Sequence, residues 1–174
     1  MSNDLGSNQR DATADTHGLT PDHVPPIVSD RQPNPSDLSQ AIPFDLIELL
    51  FFAYRDFVSD PDDVLARFNF GRAHHRVLHF VNRHPGMKVA DLLDVLKITK
   101  QSLGRVLKQL VDEDYVTQKE GENDRRQRLL YVTPKGEQLA MKLAGLQTER
   151  IARALSELGP GAHEAARKFL LAII

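Results

Sequence analysis

The sequence predicts a mainly α fold with a small β wing, and two neighbouring stretches carry most of that prediction. Residues 99–110 read Thr-Lys-Gln-Ser-Leu-Gly-Arg-Val-Leu-Lys-Gln-Leu, a helix with Leu103, Val106, Leu107 and Leu110 on one face and Lys100, Gln101, Gly104, Arg105 and Lys108 on the other. Shortly after it, Glu120-Gly121-Glu122-Asn123-Asp124-Arg125-Arg126-Gln127-Arg128 forms a basic tip between two short β-prone runs, Tyr115 to Glu120 and Arg128 to Thr133. A groove-sized helix beside a basic hairpin is the layout of a winged helix-turn-helix lobe, and that layout points to duplex DNA. The flanking helices carry more apolar surface than one lobe can cover, so the lobe is expected to sit on an all-helical dimerisation base.

Taken in order, residues 1–42 are rich in Asp, Asn, Ser and Pro and lack apolar periodicity, as expected of a disordered acidic tail. Order is expected from Pro43. Phe44, Leu46, Ile47, Leu49, Leu50, Phe51, Phe52, Tyr54 and Phe57 make a helix over 44–58 apolar on nearly every side, so it must be covered by its own domain and by a second subunit. Asp63 to Phe68 adds a helical turn, Gly71 opens a break, and Arg72 to His84 forms a helix stopped by Pro85-Gly86. Val89, Leu92, Leu93 and Leu96, at helical spacing, define a short helix; Lys97-Ile98 is its turn and Thr99 the N-cap of the next. Thr133-Pro134 is a strong helix start, and Leu139, Leu143, Leu146, Ile151, Leu155 and Leu158 form a seam that ends at Gly159-Pro160-Gly161. A last helix from Ala162 ends the chain in Leu-Leu-Ala-Ile-Ile, which a monomer would not leave in water. The expected organisation is therefore a tail over 1–42, an N-terminal dimerisation region over 43–71, the winged lobe over 72–133 and C-terminal dimerisation helices over 134–174.

Charge supports the lobe once it is divided. The chain is −2 in total, but residues 1–42 hold six aspartates against two arginines, leaving +2 on residues 43–174. Between Asp94 and Asp112 stand Lys97, Lys100, Arg105 and Lys108 and no acid, so positive charge is concentrated where a phosphate backbone would lie. The absence of cysteine excludes disulfides and Cys-ligated zinc. No apolar run reaches membrane-spanning length and no secretion signal is legible, so no membrane partner is expected and the location expected is the cytoplasm. No Gly-rich phosphate loop or nucleophile motif is present, which predicts a non-enzyme without a cofactor.

On the exposed helical face, Arg105 suits bidentate guanine readout and Gln101 suits adenine. Lys100 and Lys108 suit phosphate, and Thr99 and Ser102 lie within reach of the same surface. In the wing, three arginines within four residues suit a narrow minor groove. His75 and His79, four apart on one helix, are spaced to share a metal, which leaves a metal-sensing regulator as one alternative; interface or phosphate-contacting histidines are the simpler reading of His74, His75, His79 and His84. The other alternative is a winged-helix module that docks proteins, against which stands the acid-free basic stretch.

This order of elements resembles the MarR (multiple antibiotic resistance regulator) family over residues 43–174. The most specific pieces are Asp124-Arg125-Arg126 and Leu130-Tyr131-Val132-Thr133-Pro134-Lys135-Gly136, at the right distance from Lys100–Leu110. The resemblance implies a homodimeric transcription regulator, commonly a repressor, that binds a pseudo-palindromic operator in double-stranded DNA and is released by a small-molecule effector or another signal. It implies that Asp124 braces the wing, Arg126 probes the minor groove and Arg125 contacts phosphate. It also implies an effector cleft between the dimer base and the DNA lobe, which aromatic residues such as Phe51, Phe57 and Phe68 could line, though each is more simply a core or interface residue. Gly104 departs from the family pattern, standing where a polar side chain is common.

Overall fold

The computed structural model describes residues 43–121, 124 and 126–174, and the chain divides into two units, Met1–Glu48 and Leu49–Ile174. In the first, the described residues open a helix, where the Ile47 amide donates to the Pro43 carbonyl at 3.1 Å. The second holds the rest of that helix and every later element.

Helix α1 runs over Phe44–Ala66, α2 over Arg72–Arg83, α3 over Val89–Leu96, α4 over Lys100–Asp112, α5 over Pro134–Leu158 and α6 over Ala162–Ile173. Strands β1 (Met87–Lys88), β2 (Val116–Glu120) and β3 (Arg128–Val132) form an antiparallel sheet in the order β1-β3-β2. The core lies where α2, α3, α4 and β3 converge on α1 and α5, with Leu65, Val77, Leu78, Val81, Leu92, Leu103, Leu110, Leu130 and Leu143 fully covered.

Two local expectations are corrected. The first helix does not stop near residue 58; it continues through the buried Pro61. Proline removes the amide that would bond the Phe57 carbonyl, and Gln147 of α5 presents its side-chain amide to that carbonyl instead, at a long 3.5 Å. The neighbouring Asp60 is held by Arg150 of the same helix at 2.8 Å. Tertiary contacts thus carry a helix across a residue that punctuates it locally. The second correction is β1, which has no apolar alternation to announce it. Gly86, at φ +83°, turns the chain so that its amide reaches the Leu130 carbonyl at 2.8 Å, and Met87 and Lys88 then pair with Leu130 and Leu129.

Helix ends match the sequence signals. Asn69, Lys97 and Asp114, the non-glycine residues of positive φ among the described residues, close α1, α3 and α4. Thr99 Oγ1 accepts from the Ser102 amide at 3.1 Å and Thr133 Oγ1 from the Gly136 amide at 3.1 Å, so both predicted N-caps form. At α2 the cap is unforeseen: Gly71 has no side chain, and the His74 imidazole Nδ1 accepts the Gly71 amide at 3.1 Å.

The start of α5 is bound to the end of α4. Thr133 Oγ1 donates to the Asp114 carbonyl (2.7 Å), the Thr133 amide to the Tyr115 carbonyl (3.1 Å) and Lys135 Nζ to the Glu113 carbonyl (2.8 Å). Lys135 also stands 4.1 Å over the Tyr115 ring. Gly136 is pressed so close that a Cβ there would lie 1.9 Å from the Tyr115 oxygen. The Thr-Pro-Lys-Gly segment therefore works as a joint between α4, β2 and α5.

Outside the core, α6 buries none of its residues: Phe169 is 45% exposed, Leu170 54% and Ile173 55%. Leu49, Leu50, Phe51 and Tyr54 of α1 are also exposed. No helix among the described residues is long and apolar enough to cross a membrane.

Candidate nucleic-acid interface

Amphipathic patterning sets the orientation of α4. Leu103, Val106, Leu107 and Leu110 are buried, which turns Lys100, Gln101, Ser102, Gly104, Arg105 and Lys108 outward. The helix is aimed by contacts at its back and at the turn before it. Arg76 of α2 donates to the Leu96 carbonyl at 2.9 Å, satisfying the end of α3 immediately before the Lys97–Thr99 turn. His74 Nε2 bonds Gln109 Oε1 at 2.9 Å, and Gln109 Nε2 donates to Glu113 Oε1 at 3.0 Å. With Nδ1 of His74 accepting from Gly71, Nε2 is the ring nitrogen placed to donate to Gln109. Stacking on Phe70, 4.7 Å away and nearly parallel, holds the imidazole in place.

The predicted helical residues fall into three groups. Lys100, Gln101 and Arg105 are exposed and their side chains engage no described residue by hydrogen bond or ion pair. Thr99 and Ser102 are already occupied: Thr99 Oγ1 both caps the helix and donates to Ser102 Oγ at 2.9 Å. Lys108 is paired with Asp112 one turn on, an acid at the very border of the basic stretch. That pair is exposed and so worth little to stability, but it offsets positive charge on this face.

In the wing, the Asp124 carboxylate accepts the Arg126 amide at 2.9 Å and the Asp124 carbonyl accepts the Gln127 amide at 3.0 Å, which closes a tight turn. The Gly121 amide donates to the Gln127 carbonyl at 3.1 Å, and Glu120 meets Arg128, its register partner across the hairpin, at 2.9 Å. Arg126 is exposed. Arg125, expected to touch phosphate, lies outside the described residues.

The helix and the wing wall a trough of about 1050 Å³. Lys100, Gly104 and Lys108 line one side, Thr117 and Gln118 the other, with Arg126 at the tip. Lys88 of β1 and Arg128 also face it, together with Asp91 and Asp112. Arg128 is one of the three wing arginines read from the sequence, whereas nothing in the sequence singles out Lys88. The place of Lys88 depends on the sheet order, which puts β1 beside β3.

A separate cavity of about 480 Å³ opens among α1, α2 and α5, lined by Tyr54, Phe57, Arg72, His75, His79 and Phe80 among others. His75 is buried, and its pKa is lowered from 6.5, first by desolvation, then by His79, with a partial offset from Asp62. The pKa of His79 is lowered too, by desolvation and by the neighbouring Arg83 and His84. Among the described residues no three His, Cys, Asp or Glu side chains gather at metal-binding distance.

The model of the MarR family matches residues 68–127 of this chain, from just after α1 through α4 to the wing. The HTH-type transcriptional regulator PetP of Rhodobacter capsulatus is 45% identical over 128 residues, which span 74% of this chain and 77% of that protein. Among solved structures, Streptococcus pneumoniae FabT in complex with DNA superposes with a TM-score of 0.66 at 16% identity, covering 74% of this chain and 92% of that one. Staphylococcus aureus MepR in its DNA-binding conformation gives 0.65 at 17% identity, covering 74% and 95%. At those identities the two structures establish a shared fold.

Proposed function

The chain belongs to the MarR family of transcription regulators, and on that footing we propose that it works in the cytoplasm as a homodimer binding a pseudo-palindromic operator in double-stranded DNA. The observation that carries the reading is the outward face of α4, where Lys100, Gln101 and Arg105 are exposed, beside a trough that Lys100, Gly104 and Lys108 wall on one side with Arg126 at its edge. Arg105 reads guanine and Gln101 adenine, Lys100 holds phosphate, and Lys108 joins it by exchanging Asp112 for phosphate. Thr99 sets the start of the reading helix, and Ser102, which accepts from Thr99, keeps its own hydroxyl proton for a phosphate. Asp124 holds the wing turn so that Arg126 enters the minor groove, with Arg125 beside it on phosphate.

Residues 72–133 form the DNA-binding lobe, and residues 43–71 and 134–174 the dimerisation base. The exposed apolar rows of α1 and α6 support that division, since a monomer rarely leaves so much apolar surface in water. Between Lys100 and Lys108 the outward face of α4 presents no large apolar side chain, which favours nucleic acid over a docked protein. A small-molecule effector or other signal regulates binding by altering the separation of the two lobes, because half-sites one turn apart tolerate little change in that spacing. Repression is the sign of regulation proposed, and catalysis has no part in it.

Hydroxyl-radical footprinting of the full-length protein on the DNA upstream of its own gene tests the reading. Two protected half-sites about one helical turn (~34 Å) apart are expected. A single protected patch, or none, would count against a dimeric operator binder.

A further inference from the structure

The outward face of α4 holds one residue that the fold does not need. Gly104 sits mid-helix, where glycine is less stable than alanine, yet a Cβ there would meet nothing within 4 Å. Gly86 and Gly136 are kept small by Tyr131 and Tyr115. Nothing among the described residues keeps Gly104 small. It is exposed, lines the trough, and lies between Lys100 and Lys108, one turn away on either side. Lys108 carries its ammonium to Asp112, a further turn from the glycine, so the flank it offers Gly104 is its methylene stem. The glycine's own amide and carbonyl belong to the helix ladder. The result is a shallow hollow with no donor or acceptor of its own.

The base edges of a major groove carry one apolar group, the C5-methyl of thymine. We infer that Gly104 is a specificity-determining residue whose missing side chain admits a thymine methyl of the operator against the α4 backbone. The inference rests on the operator reading above and adds what that reading lacks, a base assigned to the bare centre of the helix. Guanine and adenine have no group that gains from this hollow, and the cytosine amine would lose a hydrogen-bond partner there. An alanine at this position would fill the hollow with its own methyl, leaving no space for that of the base.

The test is an exchange of methyl groups between protein and DNA. A duplex is first selected by the full-length protein from a random-sequence pool, and each thymine in it is replaced singly by deoxyuridine. At one thymine per half-site, the wild type should lose about threefold to fivefold in affinity, the worth of one buried methyl. The Gly104→Ala variant should reverse the preference at that same thymine, binding deoxyuridine more tightly than thymine, while melting at a higher temperature than the wild type. If the pool yields no common sequence, the operator reading fails and this inference falls with it. A clear common sequence on which both proteins rank every deoxyuridine duplex alike, or one with no thymine whose methyl matters, overturns the role of Gly104 and leaves operator binding standing.

Discussion

Replacing Gly136 by alanine perturbs the joint between α4, β2 and α5 at its tightest point. The new Cβ would lie 1.9 Å from the Tyr115 carbonyl oxygen and 2.9 Å from its carbonyl carbon, both backbone atoms that no side-chain rotation can move aside. Relief requires the start of α5 to withdraw by about 1 Å, because a carbon and an oxygen in contact stand at least ~3 Å apart. That displacement stretches the bonds of Thr133 to Asp114 and Tyr115 and of Lys135 to Glu113, now 2.7, 3.1 and 2.8 Å, toward lengths at which they no longer count. At roughly 1 kcal/mol net for each bond, the loss is about 3 kcal/mol. Removing a helical glycine returns up to about 1 kcal/mol, leaving a net destabilisation of about 2 kcal/mol. In a chain of this size that lowers Tm by roughly 4–8 °C in a thermal melt followed by circular dichroism. A Gly136→Ala protein that melts with or above the wild type would show that the joint opens freely, and the account of the Thr-Pro-Lys-Gly segment would be wrong.

The same geometry sets other outcomes. Arg105→Ala should lower affinity for the selected operator by about 1–3 kcal/mol while hardly changing binding to scrambled DNA, whereas Lys100→Ala should weaken both and lower the salt slope by about one; competition titrations separate the two. Asp112→Asn frees Lys108 from its partner and should tighten binding to every duplex while steepening the salt dependence, so unchanged slopes would contradict the pairing. Burial lowers the pKa of His75, so between its folded value and 6.5 the unfolded chain binds the extra proton and the native one does not. Stability should thus be complete above about pH 6.5 and fall as pH drops below it; urea melts at pH 7.5 and 5.5 should show the fall, and His75→Gln should flatten it. Leu170→Glu, on the unburied α6, should leave the monomer fold intact but shift the sedimentation coefficient from dimer to monomer and abolish half-site pairing.

Where residues close their own structure, the sequence was easy to read. Thr99 and Thr133-Pro134 start α4 and α5 through their own side chains, and the buried faces of α2 and α4 match the periodic Val and Leu positions. Where distant residues act on a local signal, the reading failed. Pro61 marks a break until Gln147, far along the chain, offers its amide to the Phe57 carbonyl. Met87-Lys88 becomes a strand only because β3 lies beside it. The residues proposed to meet DNA were legible as a charged helical face, but their availability was not. The stretch from Asp94 to Asp112 looked acid-free because the ion pair of Lys108 is made with its last residue, and Thr99 commits its hydroxyl to Ser102. The unfilled space at Gly104 is set by what surrounds the helix in three dimensions, whereas the sequence records only a missing side chain.

The central claim, that α4 and the wing read a particular DNA sequence, is tested most directly by fluorescence anisotropy. The full-length protein is titrated into the DNA upstream of its own gene and into a scrambled duplex of the same composition, across a range of salt. Binding to the native duplex is predicted to be at least about a thousandfold tighter than to the scrambled one at physiological salt, with affinity for both falling as salt rises. Equal affinity for the two duplexes at every salt concentration would contradict it.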